Sequence, residues 1–241
     1  MMILHFPAVD VQKGPRQFHH TEKRPALLNG CQALRNHRKR FRDYNTGRQY
    51  KRMVIHMNTT DIKTAAILLA PGFEEIEALT PFDLLRRAGI DTTLVSVENK
   101  TGCTGTMGLE VTGLTPMKDY DFTKADALII PGGPGYEVLE QNQEVTDLIQ
   151  SFGRDKTLGA ICAGSSIPGK LGLYKDRDYT VVPDLNGDFG GTFEKVHAVI
   201  SGNIVTGISV GGAFEFALDL IRVLKSPEAA DDIARATCWT L

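Results

Sequence analysis

Short apolar runs alternate with longer amphipathic segments along most of this 241-residue chain. Runs of aliphatic and β-branched residues predict buried parallel strands, while apolar residues at spacings of three and four predict helices that cover a sheet. The predicted strands occupy residues 64–70, 92–97, 127–130, 157–161, 179–182, 195–200 and 204–208. The predicted helices occupy about residues 76–88, 143–153, 164–173, 214–224 and 227–237, and the glycine- and threonine-rich stretch 99–117 predicts a small β excursion.

This alternation of strands and helices predicts an α/β fold, with a flavodoxin-like, doubly wound, mostly parallel sheet and helices on both faces. Ligands of such sheets bind beyond the carboxyl ends of the strands. Three segments directly follow predicted strand ends, namely residues 74–77, the pair Gly132 and Gly133, and Cys162. We therefore expect these segments to meet in one cleft.

Cys162 ends an apolar run and is followed by small residues that permit a tight turn into a helix. A nucleophile elbow has this pattern, here with cysteine in place of serine. At such a turn, backbone N–H groups and the N-terminus of a helix stabilise a thiolate. The alternative interpretation is a buried structural cysteine that behaves as a small hydrophobe, and the spacing alone leaves both open.

Glu77 lies at the start of the first predicted helix, where its carboxyl group has two possible effects on a nearby thiol. An ionised carboxylate repels a thiolate and raises the pKa of the thiol. A protonated carboxyl donates a hydrogen bond to sulfur and favours the thiolate, which predicts a peroxide-sensitive cysteine whose pKa lies well below the ordinary ~8.5. Glu74, Glu75 and, by sequence alone, Glu77 also fit solvated first-turn acids favoured by the helix dipole.

Charge divides the chain near Met57. Residues 1–56 hold 12 Lys and Arg against 3 Asp and Glu, whereas residues 57–241 hold 15 against 26. We expect residues 1–56 to be a basic extension that is disordered, or translated upstream sequence before a start at Met53 or Met57, and we assign it no function. Residues 57–241 form the predicted domain.

Cysteine and glycine spacings exclude several classes of site. The four cysteines are scattered without a C-x-x-C pair or metal-ligand spacing, which predicts free thiols in a reducing cytoplasm and no metal site. The glycines form neither a dinucleotide fingerprint nor a P-loop, so no cofactor is expected. No apolar run approaches the ~20 residues of a membrane span, and we expect neither a membrane nor a nucleic-acid partner for the domain.

Four motifs, in order over about residues 62–236, together resemble the ThiJ/PfpI family, in the branch of the parkinsonism-associated deglycase. They are GFEEIEALTPFDLLRRAGI at 72–90, PGG at 131–133, AICAG at 160–164 and FEFAL at 214–218. The resemblance implies that Cys162 is the reactive nucleophile and Glu77 its protonated partner. It also implies an oxyanion and substrate pocket formed by Gly132, Gly133, Ala163 and Gly164, and a homodimer in the cytoplasm.

The chain departs from the family pattern at three positions. Val182 stands where many relatives carry a histidine before the proline, Ala163 stands where protease-like members carry a histidine, and Ile208 stands where an arginine is common. His197, the one histidine of residues 57–241, is expected at the surface or on an edge strand. A Cys-His hydrolase needs an imidazole, so protease or amidase activity is disfavoured.

Two functions remain open at this point. The resemblance implies a cofactor-independent glyoxalase III or deglycase that acts on small reactive carbonyls or their glycated adducts through Cys162 and Glu77. Val182 in place of the histidine predicts weak activity, since general acid–base groups commonly contribute 10²–10⁴-fold. The alternative is a redox-responsive stress sensor or chaperone in which Cys162 is oxidised without significant turnover.

Overall fold

The structure is a computed structural model that describes residues 62–239. The predicted basic extension, residues 1–56, lies outside these described residues. The strands are β1 Thr64–Leu69, β2 Asp91–Ser96, β3 Gly102–Thr104, β4 Glu110–Thr112, β5 Thr115–Pro116, β6 Ala127–Ile130, β7 Thr157–Ile161, β8 Asp178–Tyr179, β9 Thr192–Phe193, β10 Ala198–Ser201 and β11 Ile204–Gly207. The α-helices are α1 Glu75–Arg87, α2 Tyr136–Gln141, α3 Gln143–Asp155, α4 Ser166–Lys170, α5 Ala213–Leu224 and α6 Pro227–Ala236.

Seven strands form the central sheet in the order β10-β11-β7-β6-β1-β2-β5. All neighbours pair in parallel except β10, which pairs with β11 in antiparallel register at one edge. The predicted flavodoxin-like α/β fold is confirmed. The order also makes β1, β6, β7 and β11 consecutive neighbours, so the turns that follow them lie side by side at the carboxyl edge.

Alternate side chains of the central strands pack into two separate hydrophobic cores, one on each face of the sheet. In β1, Ala65, Ile67 and Leu69 pack with apolar residues of α1, α5 and α6. The intervening residues Ala66 and Leu68 pack with apolar residues of α3 on the other face. Since side chains alternate between the faces of a strand, the near-continuous apolar runs of the sequence are explained by a sheet that is covered on both sides.

Most predicted elements are present, and the predicted elements that differ from the structure lie between β7 and β11. The helix expected over 164–173 is a 3₁₀ turn, Cys162–Ser165, followed by the short α4, and Gly172 then adopts the left-handed conformation with φ +77°. The strand expected over 179–182 pairs only through Tyr179, in β8 with β9, and the strand expected over 195–200 begins at Ala198. These segments lie at the sheet's edge or outside it, where propensity alone does not fix strand ends.

Two further elements complete the description. The excursion 99–117 forms the hairpin β3–β4 and then β5, which joins the main sheet beside β2. Helix α2, which the sequence analysis did not predict, follows the turn after β6. Within residues 62–239, every helix is too short or too polar to span a bilayer.

Candidate active site

Cys162 stands at the turn from β7 into the 3₁₀ segment, as the elbow pattern predicts. Its backbone adopts the left-handed conformation with φ +58°. A residue with a side chain occupies this region at a cost of about 1–3 kcal/mol, and such strain concentrates at functional sites. The side chain is half-buried, so the sulfur is neither sealed in the core nor fully solvated.

A buried polar network behind the elbow fixes this strained turn. The Ser165 hydroxyl donates to the carbonyl of Thr180 at 2.7 Å, and the Tyr174 hydroxyl donates to the carbonyl of Ser165 at 2.8 Å. The Ser166 hydroxyl donates to the carbonyl of Ala163 at 2.8 Å. Because these groups are buried, losing a partner would cost the desolvation of the other, and the network therefore holds the elbow in place.

Glu77 enters the site from the first turn of α1 and is fully buried. Its Oε2 accepts a hydrogen bond from the backbone N–H of Gly132 at 2.9 Å. Its Oε1 is buried and has no hydrogen-bond partner among residues 62–239 that satisfies normal geometry. Glu74 caps the helix, since its Oε2 accepts from the Glu77 N–H at 2.8 Å. The Glu77 carboxyl is thus held rigidly, with one oxygen left for a neighbour.

Gly132 shows how closely Glu77 and Cys162 approach. A Cβ placed on Gly132 would lie 2.6 Å from Glu77 Oε2, 2.8 Å from Cys162 Cβ and 2.9 Å from the backbone nitrogen of Ala163. Real Cβ atoms do not make such contacts, so only glycine fits between the two side chains. The structure therefore brings Glu77, Gly132, Cys162 and Ala163 together at one point.

The other two glycines named by the sequence pack backbone against backbone. Gly133 has φ +81°, and a Cβ there would collide with the chain at Gly72 and Glu74. Gly164 is buried, and a Cβ there would collide with the carbonyls of Ile130 and Pro131. Both glycines allow the turn after β6 to pack against its neighbours, while their roles in substrate binding stay predictions.

Ser209 is a site residue that the sequence analysis missed. Its hydroxyl oxygen lies 3.7 Å from the Cys162 sulfur, within hydrogen-bond distance for a thiol. It follows β11, which pairs in parallel with β7, the strand that ends before Cys162. The rule that strand ends share one edge would have found it, but only once β11 was known to neighbour β7.

Burial decides the protonation of the Glu77–Cys162 pair. Desolvation raises the pKa of Glu77 to about 7, although the thiol of Cys162 and the N–H of Gly132 stabilise the carboxylate. Desolvation, and then the charge on Glu77, also raises the pKa of the Cys162 thiol. The expected thiol pKa well below ~8.5 is therefore wrong, since desolvation, the larger cause, raises it whether or not Glu77 is ionised. Below about pH 7 both groups are mostly protonated, and between about pH 7 and the higher pKa of the thiol the pair holds one proton and one negative charge.

Glu75 corrects the expectation of a solvated first-turn acid. It is only 8% exposed, and its Oε1 accepts hydrogen bonds from the backbone N–H groups of Met107 at 2.7 Å and Leu109 at 3.4 Å. It therefore ties the loop between β3 and β4 to the start of α1. Glu74 is a helix cap, as described above, so the three acids of this turn have three different roles.

No imidazole supports the thiol among the described residues. His197 is exposed at a bend before β10, and its carbonyl accepts from the Ile208 N–H at 3.0 Å. Val182 packs against the core on the face covered by α3. The side chains that act on the Cys162 thiol are instead Glu77 and Ser209. Residues 62–239 also contain no group of three or more His, Cys, Asp or Glu side chains that could hold a metal ion.

Comparison with known proteins identifies the family to which this site belongs. The model of the DJ-1/PfpI family matches residues 63–223, which include β1, the elbow and most of α5. The chain belongs to the DJ-1/PfpI family. The resemblance to the ThiJ/PfpI family stated above is therefore confirmed.

Individual members of the DJ-1/PfpI family match nearly over their full length. The glutathione-independent glyoxalase DJR-1.2 of Caenorhabditis elegans is 32% identical over 181 residues, which cover 73% of this chain and 96% of that protein. The deglycase TK1284 of Thermococcus kodakarensis is 25% identical over 163 residues, 66% of this chain and 98% of that protein. The solved structure of oxidized DJ-1 from Toxoplasma gondii superposes with a TM-score of 0.68 at 28% identity, covering 74% of this chain and 100% of that one.

The contact at Gly132 gives the first testable prediction. In Gly132→Ala the new methyl group must displace Glu77, Cys162 or both, so we expect alkylation of Cys162 by iodoacetamide to slow by about tenfold or more. The rate is measured on the peptide that contains Cys162. Gly211→Ala is the matched control, because a Cβ at Gly211 meets nothing within 4 Å. Equal rates in both variants would show that the close contact is dispensable.

The raised pKa of Glu77 predicts how stability depends on pH. The folded state binds this proton more tightly than the unfolded state, whose pKa is about 4.5. The resulting stabilisation is complete below about pH 4.5 and is lost as the pH rises to about 7, by roughly 3 kcal/mol at 1.36 kcal/mol per pH unit. Between about pH 4.5 and 7, we expect the free energy of unfolding in urea to fall by this amount more in the wild type than in Glu77→Gln. The same pH dependence in both proteins would contradict the raised pKa of Glu77.

Proposed function

We propose that this protein is a cofactor-independent enzyme that converts small reactive carbonyls such as methylglyoxal to hydroxy acids, with Cys162 as nucleophile and Glu77 as proton carrier. The observation that carries the proposal is the buried carboxyl of Glu77, with a pKa near 7, packed against the cysteine of a strained elbow. Sequence similarity to the glyoxalase DJR-1.2 and the deglycase TK1284 supports the same chemistry.

The first step forms a hemithioacetal. In the reactive form of the pair, the charge lies on sulfur and the proton on Glu77. The sulfur attacks the aldehyde carbon of methylglyoxal, the C–S bond forms, and the π electrons of the carbonyl move to oxygen. Backbone N–H groups of Gly133 and Ala163 are proposed to stabilise this oxyanion, which then takes the proton from Glu77.

The second stage is an internal redox rearrangement that needs no outside electron acceptor. The Glu77 carboxylate removes the proton from the carbon bonded to sulfur, giving an enediolate, and then returns this proton to the neighbouring carbon. The hydroxyl proton of the hemithioacetal moves from the former aldehyde oxygen to the former ketone oxygen. The former aldehyde carbon is thereby oxidised to a thioester and the former ketone carbon is reduced to an alcohol. Water then cleaves the C–S bond of the thioester, which releases lactate and regenerates the thiol of Cys162.

A carboxyl with a pKa near 7 suits this work, because general acid–base catalysis is most effective when the pKa lies near the working pH. Among residues 62–239, no imidazole shares the proton transfer with Glu77, since Val182 is apolar and packs against the core and His197 is exposed. We therefore expect turnover to be slow. Glycated amines and thiols, which release the same carbonyls, belong to the proposed substrate class.

The thiol chemistry also requires reduced cysteines. Cys103, Cys162 and Cys238 are free in the structure, which fits a reducing compartment, and we propose the cytoplasm. We further propose a homodimer, supported by apolar side chains that are exposed near the start of α1. Ile76 is 52% exposed, Met107 83% and Leu109 48%. Ile76 also lines a groove of about 370 Å³ together with Leu79 and Phe214.

Lactate formation from methylglyoxal tests the proposed enzyme. We expect wild-type protein to produce lactate, Cys162→Ser to produce none, and Glu77→Gln to be slower by about 10²-fold or more. Cys238→Ser is the matched control, since this exposed thiol lies outside the site. Lactate formation by Cys162→Ser would contradict the proposed mechanism. Absence of lactate together with rapid peroxide oxidation of Cys162, seen as the mass of two added oxygens, would favour the redox sensor instead.

Sedimentation velocity tests the proposed homodimer. A charge at Ile76 would be buried without a partner in the dimer interface, so we expect Ile76→Glu to sediment as a monomer and the wild type as a dimer. Val196→Glu is the control, because Val196 is 45% exposed but lies next to β10 rather than on α1. A wild type that sediments as a monomer at tens of micromolar would refute the dimer.

A further inference from the structure

Ser209 and Glu77 approach the Cys162 sulfur from different sides of the elbow. In the sheet, β7 lies between β6, whose following turn holds Gly132 and the Glu77 carboxyl, and β11, which leads to Ser209. The Ser209 oxygen is 3.7 Å from the sulfur. The sulfur is therefore placed between a buried carboxyl and a hydroxyl group.

Among residues 62–239, the Ser209 hydroxyl makes no hydrogen bond that supports the surrounding backbone. Ser209 precedes the 3₁₀ turn Val210–Gly212, but its side chain makes no capping hydrogen bond. The turn is closed instead by the Gly212 N–H, which donates to the backbone carbonyl of Ser209 at 2.8 Å. Among residues 62–239, the hydrogen bond with Cys162 is the one that the Ser209 side chain makes. Its backbone is extended, with φ −179°, so the position does not require serine for conformational reasons.

We propose that Ser209 is a second catalytic residue, whose hydroxyl donates a hydrogen bond to the Cys162 sulfur when the sulfur carries the negative charge. In the neutral site the thiol donates to the hydroxyl oxygen, as the structure shows. A hydroxyl group can both accept and donate, so on ionisation it rotates and the direction of the bond reverses. No bond to carbon forms or breaks in this step.

The hydroxyl changes the balance of charge between the two members of the pair. Glu77 is the titratable group that acts on the Cys162 thiol among the described residues, and its charge raises the thiol pKa, as burial does. The Ser209 hydroxyl and the backbone of Ala163 lower that pKa. Since Ser209 touches sulfur and not the carboxyl, it favours the form with the charge on sulfur and the proton on Glu77. That form is the one that attacks a carbonyl.

Alkylation of the full-length protein by iodoacetamide between about pH 5 and 10 tests this role, followed on the peptide that contains Cys162. Because the thiol pKa is raised, the alkylation rate should still be rising with pH at the upper end of this range. We expect Ser209→Ala to shift this rise to higher pH, so that alkylation at a given pH slows by about three- to tenfold, since one pKa unit corresponds to tenfold. Ser209→Thr keeps the hydroxyl and should restore the wild-type profile, and Ser151→Ala, on the exposed face of α3, is the control.

Two outcomes would overturn the role of Ser209. A Ser209→Ala profile that coincides with the wild type would show that the hydroxyl does not act on the thiolate. A profile shifted equally in Ser209→Ala and Ser209→Thr, with lowered thermal midpoints, would show a packing role only.

The catalytic meaning of Ser209 depends on the proposed function, but alkylation does not require turnover. If Ser209→Ala shifts the alkylation profile but the wild type produces no lactate, the proposed enzyme activity is rejected and the role of Ser209 as a donor to the thiolate is retained. If Ser209→Ala changes neither lactate formation nor the alkylation profile, the proposed enzyme activity is retained and the role of Ser209 as a donor is rejected.

Discussion

The contact of three chain segments around Gly132 is the constraint on which this site depends. The turn after β6 passes between the Glu77 carboxyl and the Cys162 elbow with no room for a single methyl group. Its N–H fixes one oxygen of the Glu77 carboxyl, and the other oxygen is buried without a hydrogen-bond partner among the described residues. A carboxyl in such a place keeps its proton to a higher pH than in water, because desolvation penalises the charged form.

The rest of the fold serves to keep this contact rigid. Each segment of the site follows one of the parallel strands of a continuous sheet, and that sheet is covered on both faces by separate apolar cores. The strained backbone of Cys162 is held by a buried network of Ser165, Tyr174 and Thr180. Preorganised geometry of this kind lowers the reorganisation needed when charge develops on sulfur.

The electrostatics differ from those of a cysteine activated by a neighbouring cation. Both the desolvation of the sulfur and the charge of Glu77 oppose a free thiolate, and no histidine offsets them among the described residues. Above about pH 7 the pair shares a single negative charge, and in the proposed mechanism the Ser209 hydroxyl shifts that charge toward sulfur. A thiolate that is formed at the expense of a carboxylate needs no cation, because the net charge of the pair is unchanged.

The sequence by itself determined the fold and marked Cys162 as a candidate elbow. Apolar runs at 64–70, 127–130 and 157–161 indicate a sheet covered on both faces, and an apolar run that stops at Cys162 before small residues fits a sharp turn, while the spacing alone fitted a buried structural cysteine equally well. The tertiary structure decided the rest. The carboxyl groups of Glu74, Glu75 and Glu77 look alike in sequence, but desolvation and hydrogen bonding in the folded chain make them a helix cap, a loop anchor and a buried group of raised pKa. Ser209 could be identified as a site residue only from the strand order, which places β11 beside β7. The direction in which the thiol pKa shifts depends on burial, which no local sequence pattern encodes.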